Sequence, residues 1–398
     1  MDKKITWLNV TGCPRSGTTA LGSALNKSQS IAVLHEHYPG DFFGSIETLF
    51  LNQDFHDSLG NGHSYEDSII NRERDCLPII EAIFSTTFRK SPSVVGTKFP
   101  GLQRWEQPAY PAGLETREIN IIRNPVAVVN SYTVKDDGTL SEDPEHAFCD
   151  WLNSFNYAIS RRQSEDFLWL LYEGFRLNEN QVIGERVAEF LQIEADFDMA
   201  EIGFAGRKAE PAFIENPTGQ RTFDAMDQLF DLENWPADVE AKMAAGKLVG
   251  YPLAAGEKID LAIQGNAWKY VFDGFFAPEQ DGSWTRGSTC TLCFTPDKEL
   301  SGRLRTTLNI SWSLELQDVG TSFSLFLDDI LIGSTTLLLG KSNGGSNLVI
   351  FDSPEFIQRT KSITLTIIVD NPRNPAALGL SGDNRDLGIM IRSIDFAC

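Results

Sequence analysis

The stretch Asn9-Val-Thr-Gly-Cys-Pro-Arg-Ser-Gly-Thr-Thr-Ala-Leu brings together residue types that handle anions: an apolar run (Ile5, Trp7, Leu8, Val10) feeds a Gly-rich turn that opens a helix. Successive backbone N–H groups in such a turn, backed by the positive end of the helix dipole, bind phosphate with little help from side-chain charge. Gly12 and Gly17 have the spacing of a nucleotide-triphosphatase loop, yet Thr18 stands where that loop has the lysine that reaches the β- and γ-phosphates. The cation here is Arg15, upstream of Gly17. A second segment, Arg117-Glu-Ile-Asn-Ile-Ile-Arg-Asn-Pro-Val-Ala-Val-Val-Asn-Ser-Tyr, reads as a buried strand from Ile119 to Ile122, then Arg123, then a helix with Pro125 in its first turn, where a missing N–H costs little. Arg123 offers a planar fork of donors to phosphate oxygens, and the hydroxyl of Ser131 lies two helical turns on. A third cluster, His35-Glu-His-Tyr-Pro-Gly-Asp-Phe-Phe, holds two kinds of general base. Strand alternation places His35 and His37 on one side and Glu36 on the other.

Elements that could position these residues are legible. Apolar runs at Ile5 to Val10, Ile31 to Leu34, Val94 to Lys98, Ile119 to Ile122 and Phe167 to Leu171 are separated by helical stretches, the pattern of a parallel sheet covered on both faces. Ligands of such sheets lie beyond the carboxyl ends of the strands, and the candidate residues all fall in the loops there. After about residue 260 the chain turns to Thr-, Ser- and Leu-rich alternation with Gly, Asp and Asn turns (Asp328-Asp329, Asn343-Gly344-Gly345), which predicts an antiparallel β-sandwich. Two domains are expected, residues 1–258 and 259–398.

Pro14-Arg-Ser-Gly-Thr-Thr closely resembles the Pro-Lys/Arg-Ser-Gly-Thr-Thr loop of sulfotransferases, which binds the 5'-phosphosulfate end of 3'-phosphoadenosine 5'-phosphosulfate. Arg123-Asn-Pro followed by Ser131 resembles the segment with which that family holds the 3'-phosphate. Phe167-Leu-Trp-Leu-Leu-Tyr-Glu-Gly-Phe and Val187-Ala-Glu-Phe-Leu-Gln-Ile are similar to its Tyr-Glu-Asp-Leu strand end and the later helix, with Gly174 in place of the usual Asp; Tyr172 and Glu173 read as structural. Lys247-Leu-Val-Gly-Tyr resembles the end of such domains, so the resemblance spans roughly the first 255 residues. It implies a P-loop-like sulfotransferase fold with Pro14, Arg15, Ser16, Gly17, Thr18, Thr19, Arg123 and Ser131 on the nucleotide. Glu36 matches the carboxylate base of heparan-type sulfotransferases, with His35 second. Gly96-Thr-Lys-Phe-Pro-Gly resembles the segment whose lysine, here Lys98, neutralises the transferring group; alone, it would read as a solvated strand-end lysine. The segment Gly379 to Phe396 resembles, more loosely, β-sandwich modules appended to enzymes of bacterial surface-polysaccharide synthesis. There Trp268, Tyr270 and Trp284 are either a sugar platform or packing, with packing favoured.

Composition bounds the setting. A formal net charge of −21 disfavours nucleic acid and polyanionic glycans as partners, so a polyanionic cofactor needs a local basic patch, to which Arg15, Arg123, Lys98 and Arg221 are candidates. An uncharged sugar hydroxyl is the natural acceptor. The N-terminal apolar run is short and passes straight into the loop, no stretch approaches a membrane span, and the cysteines are scattered; a cytoplasmic protein with reduced thiols is expected. Cys290-Thr-Leu-Cys293 lacks the second ligand pair of a zinc site, and no metal is implied. Cys13 is a liability to oxidation rather than a nucleophile, since sulfuryl transfer of this type is direct. The expectation is in-line transfer of a sulfuryl group to a carbohydrate or other hydroxylated acceptor, the sandwich being a candidate surface for a homo-oligomer contact or a polysaccharide-assembly partner. The alternatives are an atypical P-loop kinase of a sugar, which Mg-ATP binding would reveal, and a non-catalytic scaffold, which would bind nucleotide without turnover.

Overall fold

The computed structural model describes residues 5–50, 72–102, 110–111, 113–133, 142–176, 180–199, 202, 211–298, 300–313, 320–337, 347–359, 361–379 and 381–397. The chain divides into two compact units, Met1–Gly246 and Lys247–Cys398.

In the first unit the strand β1 (Thr6–Gly12) is buried at every residue. It lies inside a five-stranded sheet of order β2-β3-β1-β4-β5, formed with β2 (Ile31–His35), β3 (Val94–Lys98), β4 (Glu115–Ile122) and β5 (Phe167–Leu171). Every pairing is parallel. Both faces are covered, which is why the strands read as continuous apolar runs rather than alternating ones. On one face Leu8, Val10, Ile119 and Ile121 join Leu21 and Leu25 of α1 (Thr18–Leu25) with Ile183 and Val187 of a later helix, Asn180–Leu191. On the other, Trp7 and Val95 meet Phe43 and Ile46 of α2 (Pro39–Phe50) and Cys76, Ile80 and Phe84 of α3 (Arg72–Phe88), the last three at helical spacing.

Local chemistry fixes where the helices start and stop. The carboxyl end of α1 is capped by Lys90, whose Nζ donates to the carbonyls of Asn26 (2.9 Å) and Ser28 (2.6 Å). In α4 (Pro125–Thr133) the Asn124 Oδ1 accepts the Val126 N–H at 3.0 Å, and in α5 (Pro144–Arg161) Asp143 accepts the Glu145 N–H at 3.1 Å; both helices carry Pro at the first position. After α6 (Asn180–Leu191) come α7 (Pro217–Leu229), capped by Asn216, and α8 (Trp235–Ala245), which ends on Gly246 at φ 66°. Trp151 of α5, Phe230 and Trp235 of α8 form an aromatic cluster with centroids 5.3 to 5.7 Å apart.

The second unit is the expected antiparallel sandwich. One sheet runs β13-β12-β15-β10-β6 with β8 also on β10, the other β14-β11-β16-β7 with β9 also on β16; their strands are β6 (Tyr251–Leu253), β7 (Ile259–Asp260), β8 (Val271–Asp273), β9 (Ser283–Arg286), β10 (Thr289–Pro296), β11 (Leu300–Ser313), β12 (Thr321–Leu327), β13 (Ile330–Leu337), β14 (Asn347–Arg359), β15 (Ile363–Val369) and β16 (Leu387–Ala397). Strands β12 and β15 alternate strictly between buried and half-buried residues, as a sheet with one solvated face should. Asp328 and Asp329, at φ 46° and 68°, make the tight two-residue turn between β12 and β13. Because β6 pairs in parallel with β10, Tyr251 opposite Phe294, the Lys247-Leu-Val-Gly-Tyr segment sits with the second unit, not at the end of the first. Tyr270 and Trp284 are buried and Trp268 is exposed, so two of the three candidate platform aromatics are packing residues. Burial pushes the Cys290 and Cys293 thiols up to about 12. Among the described residues no cluster of side chains could hold a metal ion, and no helix is long and apolar enough to cross a membrane.

Candidate active site at the carboxyl ends of the strands

Between β1 and α1 the backbone turns sharply, with Gly12 at φ 140°, Arg15 at 71° and Gly17 at 100°. Both glycines are required by crowding as well as conformation. A Cβ on Gly12 would lie 2.5 Å from the Ile121 carbonyl oxygen, and one on Gly17 would lie 2.6 Å from the Tyr172 ring. The Ser16 N–H donates to the Cys13 carbonyl (3.1 Å) and closes the turn. Ser16 is fully buried and its Oγ has no hydrogen-bond partner among the described residues, a cost of about 1–3 kcal/mol unless something else satisfies it. Thr18 is buried, Pro14 half-buried, and Arg15 and Thr19 exposed.

Arg123, at the end of β4, joins the two sequence motifs. Its Nη1 donates to the Arg15 carbonyl at 2.9 Å, holding that residue in its left-handed conformation, and its guanidinium lies 4.6 Å over the Tyr172 ring. The turn beneath it is anchored. Trp151 Nε1 donates to the Arg123 carbonyl (2.9 Å), while Glu173 accepts from the Asn124 N–H (3.0 Å) and Trp235 Nε1 (3.1 Å). Burial raises the pKa of Glu173. Tyr172 and Glu173 thus brace the turn that carries Arg123. Ser131 is exposed on α4. Arg221 is exposed on α7, which packs on α4 and α5, and its Nη2 donates to Thr218 Oγ1 at 3.1 Å within its own helix.

A second group gathers at the ends of β2 and β3. His35 and Lys98 are register partners. The Lys98 side chain is 1% exposed and its Nζ binds Glu36 Oε1 at 2.7 Å, so it is a buried cation with an exposed partner, not a solvated strand-end lysine. Strand alternation does not extend to Glu36. Its φ of 59° turns the chain left-handed, its N–H donates to the Lys98 carbonyl (2.7 Å), and its carboxylate returns towards Lys98. Gly22 of α1 lies against both neighbours, a Cβ there being 3.6 Å from Lys98 Cβ and 3.7 Å from His35 Cε1. The Lys98 hydrogen bond and charge hold the Glu36 carboxyl below its ordinary pKa, with Arg15 adding a smaller effect. Burial and the Lys98 charge lower that of His35, whose imidazole is therefore uncharged at neutral pH. His37 contributes its carbonyl, which accepts from Thr97 Oγ1 at 2.6 Å. Phe42 and Phe43 pack on Trp7, with centroids 5.1 and 4.7 Å away, and fix the start of α2.

The arrangement offers an N–H-lined turn, a buried ammonium, and two proton acceptors beside it. Sequence reasoning missed the stacking of Arg123 on Tyr172 and the support from Trp151 and Trp235, since residues so far apart in the chain carry no local signal of meeting.

The chain matches no protein-family model and no curated protein. Among solved structures it is similar to the sulfotransferase domain from the Synechococcus PCC 7002 olefin synthase (16% identity, 62% of this chain and 96% of that one, TM-score 0.30). It is likewise similar to the sulfotransferase domain from the curacin biosynthetic pathway (15% identity, 61% and 99%, TM-score 0.30). A third similarity is to the C-terminal CBM6 of LamC, from Zobellia galactanivorans (13% identity, 36% and 98%, TM-score 0.24). Scores this low decide nothing about residue roles, which rest on the geometry above.

Proposed function

We propose that the first unit is a sulfotransferase using 3'-phosphoadenosine 5'-phosphosulfate, with a hydroxyl of a carbohydrate or similar molecule as acceptor. The observation that carries the reading is the Arg123 to Arg15 hydrogen bond, which brings the Gly-rich turn and the Arg-Asn-Pro turn together. The donor set fits such a nucleotide: Ser16 Oγ is buried and unsatisfied, and Gly12 and Gly17 keep open a cradle that side chains would fill. When bound, the nucleotide supplies the sulfuryl group, and its 5'-phosphate oxygen is the leaving atom. The N–H groups of the turn with Ser16, Thr18 and Thr19 would hold the 5' end, and Arg123 with Ser131 the 3'-phosphate. Lys98 stabilises negative charge near the transferring group. Were Lys98 to turn to that charge, Glu36 would lose its ionic partner, gain basicity and be the group to take the acceptor proton; His35 is the second candidate. The acidic chain as a whole favours an uncharged acceptor. Incubation with sulfur-labelled nucleotide and a panel of neutral glycans tests the reading: label should pass to a hydroxyl of at least one, and transfer from Mg-ATP instead would make the protein a kinase.

A further inference from the structure

On the sheet face away from α1, polar side chains replace apolar ones. Asn9 of β1 and Glu118 of β4 are register partners, as are Thr11 and Asn120. Glu118 is 6% exposed; Oε2 accepts from Tyr157 Oη of α5 at 2.7 Å, and Oε1 is buried with no partner among the described residues. Further along α5, Arg161 gives Nη2 to both oxygens of Asp166 (2.9 Å each) and leaves Nε buried with no partner among the described residues. Asn9 Nδ2 donates to Tyr110 Oη at 2.8 Å, so the phenol keeps its own hydrogen to give. Asn9, Tyr110, Glu118, Arg161 and Asp166 line a cavity of about 210 Å³ that also meets Arg117 near the start of β4. Arg117 and Asp166 lie at the amino ends of β4 and β5, the opposite edge of the sheet from the Gly-rich turn.

The charges of this cavity are already matched. Arg161 is paired with Asp166 and Arg117 with Glu115 (2.6 Å). Burial raises the Glu118 carboxyl to about 7. An anion would meet Glu118 and Asp166; a cation would meet the two arginines. What remains, on two residues that line the cavity, is one donor and one acceptor without a partner among the described residues, beside a space larger than one water needs.

We propose that this cavity binds a small, neutral, polyhydroxylated ligand of monosaccharide size, at a site separate from the Gly-rich turn and independent of how that turn is read. Calorimetric titration of the full chain with D-glucose, D-galactose, D-mannose and D-xylose tests it, with D-glucose 6-phosphate as the anionic control. At least one neutral sugar should bind saturably with millimolar or better affinity, the phosphate ester at least about tenfold more weakly, and saturating adenosine 3',5'-bisphosphate should leave the titration unchanged. Glu118→Ala should weaken binding about tenfold. Tyr110→Phe keeps the ring on Phe43 while removing the donor, and should weaken binding several-fold even if the glutamate variant does not fold. The proposal is overturned if no sugar binds at tens of millimolar, if bisphosphate displaces the sugar, or if affinity is unaltered in Tyr110→Phe and any folded Glu118 variant, which would place the sugar elsewhere, the sandwich included.

Discussion

Lys98 and Glu36 form an asymmetric pair, the ammonium buried and the carboxylate 72% exposed. A carboxylate so held is a weak base until its partner is drawn away, whereas His35 beside it is uncharged and ready. The two assignments separate by experiment. With Glu36 as base, Glu36→Gln keeps nucleotide affinity and lowers turnover roughly a hundredfold or more, while His35→Ala has a modest effect; the reverse pattern in single-turnover rates makes His35 the base. The left-handed Glu36 shows where sequence reasoning stopped. Period-two alternation foresaw opposite sides for His35 and Glu36, but a positive φ at a non-glycine is set by the Lys98 carbonyl and charge across the sheet, which no local pattern encodes.

Among the elements, the parallel strands and the Gly-rich turn were legible because burial on both faces and steric need for glycine leave direct marks in the sequence. Gly17→Ala should therefore cost nucleotide binding outright, since the added methyl meets the Tyr172 ring at an already positive φ; Gly44→Ala, with open space around it, is the control, both read by calorimetry on folded protein. The seam between α5 and the β1–β4 pair was not legible, because Glu118 and Asn120 interrupt an apolar run without announcing their partners. It has a pH signature. Glu118 is raised from 4.5 to about 7 by burial, against a lowering by Tyr157 and Arg161 and a further raising by Asp166. The folded chain thus binds a proton that the unfolded chain releases between pH 4.5 and 7. Stability from this group is complete below about pH 4.5 and falls as pH rises through 7, by on the order of 2–4 kcal/mol. Glu173 is shifted in the same direction. Denaturant midpoints measured from pH 5 to 8 should fall in the wild type and flatten in Glu118→Gln; an unchanged slope in the variant would remove Glu118 as the cause.

For the whole molecule, the division into Met1–Gly246 and Lys247–Cys398 leaves every residue assigned to the nucleotide in the first unit. A chain ending at Gly246 should bind adenosine 3',5'-bisphosphate as the full chain does; lost binding in a truncation that stays folded by circular dichroism would give the sandwich a part in the site. That β6 joins the second unit went unread because Lys247 to Tyr251 resembles a domain end, and a three-residue strand declares its partner only through pairing with β10.

In a chain of net charge −21, Arg15, Arg123 and the N–H groups of one turn come together, and we propose that they hold a 3'-phosphorylated adenosine nucleotide. Calorimetry with adenosine 3',5'-bisphosphate on wild type and Arg123→Ala tests it most directly. Binding should be saturable, should be tighter than that of Mg-ATP, and should weaken by the roughly 1.5–3 kcal/mol of a charged hydrogen bond when the guanidinium is removed. Equal affinity in the two proteins, or tighter binding of Mg-ATP, would contradict it.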